Sequence, residues 1–207
     1  MAEGKTNWAM ATPAALWVIG ASCFGIFAVL SGLIGTGLDA VPALSVLCSW
    51  LIAAAVAIFI CGIIDLARGD ILLGTIFVVF AALIFLGGGM SFQTALGLAA
   101  GSLEAAVAGL ALCGWVWLGI GIILLLLLPS VGRASWSLFL FVLVLAVAVI
   151  LLAIGLMTGV LPGMGVMTIS GYLIGLFGLY TLYVGTVFVT NTVAGAPKLG
   201  IGKPLFK

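Results

Sequence analysis

Long apolar stretches alternate with short polar punctuation along this chain, and the stretches have the length of membrane crossings. A helix needs about 20 apolar residues to span the roughly 30 Å hydrocarbon core of a bilayer. Six such helices are predicted, over about 13–37, 43–64, 71–86, 105–128, 136–157 and 168–192. Pro13 opens the first, where a helix tolerates proline in its first turn. Asp39 and Pro42 mark a tight turn before the second, which ends in the most polar stretch, Asp65-Leu66-Ala67-Arg68-Gly69-Asp70. Gly87-Gly88-Gly89 is expected to stop the third helix, and a loop with Gln93 and Glu104 leads to the fourth. Pro129-Ser130 is expected to end the fourth, and Leu161-Pro162-Gly163-Met164-Gly165 joins the fifth to the sixth. The fold class is therefore an all-α membrane protein: one six-helix domain over 13–192, with tails at 1–12 and 193–207.

Charge gives this arrangement a direction. The six basic residues, Lys5, Arg68, Arg133, Lys198, Lys203 and Lys207, all fall on one side of it, while Asp39 and Glu104 fall on the other. Lys and Arg collect on the cytoplasmic side because they translocate poorly during insertion. Both termini are accordingly expected in the cytoplasm, in a multi-pass protein of the cytoplasmic (inner or plasma) membrane, with Trp8 at the interface. Composition agrees. The chain is 66% hydrophobic and 5% charged with a mean hydropathy of +1.54, where a soluble domain carries about a quarter charged residues. Lipid must be the solvent, and too little chain remains for a separate soluble domain. The net charge of +1 gives no reason to expect a nucleic-acid partner. The first apolar run is too long for the core of a cleavable signal peptide, and none is expected.

Candidate chemistry is sparse. Cys23, Cys48, Cys61 and Cys113 are scattered singly through apolar segments and there is no His, so neither a metal nor another cofactor is expected. No Asp, Glu, Lys, Arg or His falls clearly inside a predicted helix, which argues against an ion-coupled pump, an intramembrane protease or another enzyme working at depth. Asp65 and Arg68 are placed for an ion pair at a helix end, and Asp70 for the N-terminus of the third helix. The sixth helix is rich in polar tips: Tyr172, Tyr180, Thr181, Tyr183, Thr186, Thr190 and Asn191. Tyr183, Thr186 and Thr190 share a face; such hydroxyls either return to backbone carbonyls or line a narrow, weakly polar route. Gly171, Gly175, Gly178 and Gly185 share a face too, and let a second helix approach closely. Gly155 and Gly159 are expected to close the fifth helix in the same way.

Three stretches of this sequence resemble the acetate uptake transporter family, which includes the succinate–acetate permeases. Thr12-Pro13-Ala14-Ala15-Leu16-Trp17 stands where that family has Asn-Pro-Ala-Pro-Leu-Gly at the mouth of helix 1, with Thr12, Ala15 and Trp17 as departures. Gly62-Ile63-Ile64-Asp65-Leu66-Ala67-Arg68-Gly69-Asp70, followed by Gly74-Thr75 and Phe77, is similar to its turn between helices 2 and 3. Gly171-Tyr172, Gly178, Tyr183, Gly195 and Gly202-Lys203-Pro204 resemble its sixth helix and closing segment. The resemblance implies a homo-hexamer of six-helix protomers, each enclosing its own pore. It implies a constriction drawn from helices 1, 3 and 5, carried by Ala21, Phe80 and Leu145, and a selectivity position at Thr181. With Tyr183 these are the expected pore residues; Thr12, Pro13, Ala14 and Leu16 form the expected mouth. Ala21 is small for its position, which implies a wider or differently gated pore.

The function expected is a channel or proton-linked transporter for acetate and related short monocarboxylates. A carboxylate pays several kcal/mol to enter an apolar constriction without replacement of its water, so a solute with a usable neutral form is favoured. The alternatives are a channel for urea or other neutral amides and, from another class, a non-transporting membrane scaffold.

Overall fold

An unpaired backbone N–H or C=O in lipid costs several kcal/mol, so segments this apolar must close their hydrogen bonds within themselves. The computed structural model, which describes residues 11–99 and 101–206, shows that outcome. Its helices are α1 (Ala11–Leu30), α2 (Val41–Ala67, entered through a 3-10 turn at Gly37–Ala40), α3 (Ile71–Ala99), α4 (Leu103–Ala134), α5 (Trp136–Met157) and α6 (Gly165–Ala194). Among the described residues, six helical segments are long and apolar enough to cross a membrane. Lys5, Trp8 and Lys207 lie outside the described residues.

Five boundaries differ from the sequence-based expectation by three residues or more; the second helix runs on to Ala67, which takes Asp65 into it. The first helix stops at Leu30 rather than 37, because Gly32 and Gly37 take positive φ and turn the chain. The triple glycine does not stop the third helix. A Cβ on Gly88 would lie 2.8 Å from the Trp117 ring, and one on Gly89 3.1 Å from the Cys48 carbonyl. These glycines therefore let α3 pass α4 and α2 as continuous helix, and Gln93 lies within it. Pro129 does not end the fourth helix either: α4 carries it internally and ends at Ala134. One missing backbone hydrogen bond near a helix end is tolerated in a membrane helix. The sixth helix starts at Gly165, three residues early.

Consecutive helices pack side by side, and α6 returns to pack on α1, so the six close a ring. The glycine face of α6 makes that closing seam. Cβ atoms on Gly171, Gly175, Gly178 and Gly185 would lie within 3 Å of Ser31, Phe27, Cys23 and Trp17, all on α1 or just beyond its end. Gly155 faces Met167 similarly, but Gly159 has φ +69° with nothing near it. It is a helix stop, and Val160 N–H donates back to the Gly155 carbonyl at 2.9 Å.

Trp50, Trp115 and Leu126 point outward, as expected of a surface solvated by lipid. The antiparallel order gathers Arg68, Arg133, Lys198 and Lys203 at one end of the bundle, the basic end, and Asp39 and Glu104 at the other, the acidic end.

Candidate functional site

The ring encloses three apolar voids stacked along its axis. The basic-end cavity is about 50 Å³, the central one about 50 Å³ and the acidic-end one about 100 Å³. A single water needs only about 10–15 Å³ of such space, so each void has room for a solute of a few heavy atoms. Their order follows from the residues that line them. Along α1, Leu16 and Ile19 face the basic-end cavity; Ile19, Cys23, Ile26 and Leu30 face the central one; Leu30 faces the acidic-end one. Along α5 the same progression runs Leu138, Val142, then Leu145, Val149, Leu152, then Leu152, Leu156. Ile19, Phe80 and Phe177 border both the basic-end and central cavities, forming the partition between them. Leu30, Leu44, Phe92 and Leu152 form the second partition.

Of the expected pore residues, the structure brings Phe80 and Leu145 together on the central cavity, both buried. Phe80 begins a π-helical stretch, Phe80–Gly87, whose wider turn buries Phe80, Ala81, Ile84 and Phe85 alike. Ala21 does not join them. It is exposed on the outer side of α1, while Ile19, Cys23, Ile26 and Leu30 recur at four, three and four residues and form the inward face. Thr181 is buried on the basic-end cavity, its hydroxyl donating to the Gly178 carbonyl at 2.9 Å. Tyr183 is exposed, lines none of the three axial cavities, and donates to the Gly200 carbonyl at 2.8 Å. Thr186 donates to the Leu182 carbonyl at 2.9 Å, so both of these hydroxyls serve backbone carbonyls. Phe177 escaped the sequence reading, although Ile174, Phe177, Thr181 and Val184 repeat at three, four and three residues beside the glycines.

The expected mouth splits. Leu16 reaches the basic-end cavity, Pro13 is buried and Ala14 is exposed. Thr12 is buried and donates to both carboxylate oxygens of Asp65, at 3.0 and 2.9 Å. Asp65 is 1% exposed, with the Arg68 guanidinium 3.8 Å away. A buried carboxylate requires such partners, so this cluster ties the start of α1 to the end of α2. Asp70 caps α3, accepting from Leu73 N–H at 3.0 Å.

The C-terminal segment folds back across the same end. Ser135 and Ser137 both donate to the Ile201 carbonyl, Trp136 N–H to Lys203 (2.9 Å), and Leu205 N–H to Gly132 (2.8 Å). Ser137 also meets the Tyr180 hydroxyl at 2.8 Å, and Tyr180 stacks on Phe141 with centroids 3.9 Å apart. Several net hydrogen bonds of about 1 kcal/mol each imply that truncation after Gly195 lowers the melting midpoint in detergent by roughly 6–12 °C. An unshifted midpoint in a thermal-shift assay would show the segment to be loosely held. At the acidic end, Gly37 N–H donates to Pro162 (2.8 Å) and Gly163 N–H to Leu30 (3.0 Å), fastening two turns beside the acidic-end cavity.

No protein-family model matches the sequence, and no curated protein does. Among solved structures, that of the bacterial acetate channel SatP aligns over 93% of this chain and 98% of its own, at 19% identity and a TM-score of 0.70. The chain therefore shares with that channel its fold, a six-helix membrane bundle.

Proposed function

We propose that this chain belongs to the acetate uptake transporter family and carries acetate and related short monocarboxylates across the bilayer through the axis of its own bundle. The observation that carries the reading is the file of three apolar cavities enclosed by one protomer. The fold shared with an acetate channel and the three resembling sequence stretches support it. Solute enters past Leu16 and the Thr12–Asp65 cluster and passes Phe80 and Leu145. It crosses as the neutral acid, because the lining residues of the central cavity carry no charge to replace the water of a carboxylate. A proton thus travels with each acid. The basic end lies in the cytoplasm of the cell by the rule that retains Lys and Arg there, in the plasma or inner membrane. Protomers associate as a homo-hexamer by the family resemblance, each keeping its own pathway.

Uptake of labelled acetate into proteoliposomes, with empty liposomes subtracted, tests this reading. Saturable excess flux competed by propionate is expected; excess flux competed by urea but not by propionate would replace it with an amide channel. No excess flux for either solute would leave an assembly scaffold. Phe80→Ala and Leu145→Ala each remove a side chain from the central cavity, and each is expected to change acetate flux several-fold. Unchanged flux in both variants would remove the pathway from the bundle axis.

A further inference from the structure

The partition between the basic-end and central cavities has no contribution from the helix 1 position where the resemblance implies its residue. Ala21 faces away, and α1 offers the partition only Ile19. The second aromatic ring there comes from α6: Phe177 is 6% exposed and, with Phe80, borders both voids. The glycine seam places it. A Cβ on Gly175 would lie 2.9 Å from the Phe27 ring and one on Gly178 2.7 Å from the Cys23 Cβ, so only glycines admit α6 this close to α1. One turn on, the flat stack of Tyr180 on Phe141 helps to set the rotation of α6. Phe177 is thereby held over the axis by neighbours on both sides.

We propose that Phe177 is the specificity-determining side chain of this pathway, its ring setting the longest aliphatic acid that can cross between the two cavities. This inference rests on the transport reading. Neither cavity bordering the partition exceeds about 50 Å³, so each added methylene must be accommodated where Ile19, Phe80 and Phe177 meet. A smaller residue at 177 joins the two voids and relieves longer chains more than acetate. A larger one penalises longer chains first.

The test is uptake of acetate, propionate and butyrate by proteoliposomes holding the full chain, as wild type and as Phe177→Ala, Phe177→Leu and Phe177→Trp. Leu179→Ala, on the exposed side of the same helix, serves as the control. A methylene discriminated by an apolar pocket is worth at least about tenfold. The propionate-to-acetate flux ratio, which spans one methylene, is therefore expected to rise about tenfold in Phe177→Ala and the butyrate-to-acetate ratio by more; both are expected to rise less in Phe177→Leu, to fall in Phe177→Trp and to stay constant in Leu179→Ala. Should Phe177→Ala fail to fold, the Leu and Trp variants still bracket the ratios from both sides. Ratios that stay constant while absolute fluxes change would make Phe177 a packing residue and overturn the inference, with the transport reading intact. Absence of excess flux in the wild type overturns both.

Discussion

Protein-dependent acetate uptake is expected to fall about tenfold for each pH unit above the roughly 4–5 at which a carboxyl group titrates, and to ignore membrane potential. The central cavity is bordered by Phe80, Leu145, Val149, Phe177 and their aliphatic neighbours, with no charged side chain among the lining residues. Two costs compete there. Protonating the acid at pH 7 costs about 3–4 kcal/mol at 1.36 kcal/mol per pH unit. Moving a bare carboxylate into an apolar medium costs far more, of order tens of kcal/mol in the idealised limit. The neutral form wins, and its fraction shrinks as pH rises, so flux declines toward alkaline pH. Potential separates this from anion conduction, since a unit charge gains about 2.3 kcal/mol per 100 mV, nearly fiftyfold in rate. Uptake into vesicles whose potential is clamped with a potassium ionophore measures it, with empty vesicles subtracted. Excess flux that follows the potential would show that the anion crosses and would sink the neutral-acid pathway.

Much of the fold was legible because lipid removes most alternatives. Six apolar runs had to be helices, and their order around the ring then follows from short connections such as Arg68-Gly69-Asp70. The glycine face of α6 was legible too, since its spacing on one helix was enough to identify a close seam. Helix ends were not. Gly87-Gly88-Gly89 and Pro129 are breakers by local propensity, and tertiary packing overrode both. The reason at Gly88 is a ring twenty-nine positions away, Trp117, which no local reading of the triple glycine could supply.

Two sources in the sequence bear on the cavity lining, the family resemblance and helical spacing, and they part on α1. Phe80 and Leu145 both border the central cavity, whereas Ala21, carried over by the same analogy, is exposed on the outer side of α1. The four-three-four rhythm of Ile19, Cys23, Ile26 and Leu30 was present in the chain and identifies the inward face without analogy. Hydroxyl content left two readings open. Tyr183 and Thr186 take the first of them, since both serve backbone carbonyls, and Tyr183 does so on the C-terminal segment, which lies outside the helices. The burial of Asp65 depends on Thr12, fifty-three residues earlier. Residue spacing within α2 carries no trace of it.

Gly171→Leu is expected to abolish the folded protein, the largest effect of any single substitution in the α1–α6 seam. A Cβ at Gly171 would lie 2.8 Å from Ser31 N, 2.9 Å from Leu30 Cβ and 3.0 Å from Leu30 C, and the backbone of Leu30–Ser31 cannot swing aside as a side-chain tip can. Overpacking a close contact costs about 1–3 kcal/mol even where neighbours yield, and here α1 must leave α6 along the whole seam. Because helices in lipid associate by packing and not by hydrophobic burial, a lost seam is not recovered elsewhere. Two further glycines separate this effect from glycine loss as such. At Gly155 the obstruction is the flexible end of Met167, so Gly155→Ala is expected to lower the midpoint only modestly. At Gly119 nothing lies within 4 Å, so Gly119→Ala is expected to be neutral or to stabilise by up to about 1 kcal/mol through helix propensity. Size-exclusion profiles and melting midpoints in detergent should rank Gly119→Ala at or above wild type, then Gly155→Ala, with Gly171→Leu aggregated. A Gly171→Leu protein that elutes and melts like wild type would mean that the ring is not closed by this seam. Phe177, which the same seam holds over the axis, would then need another support.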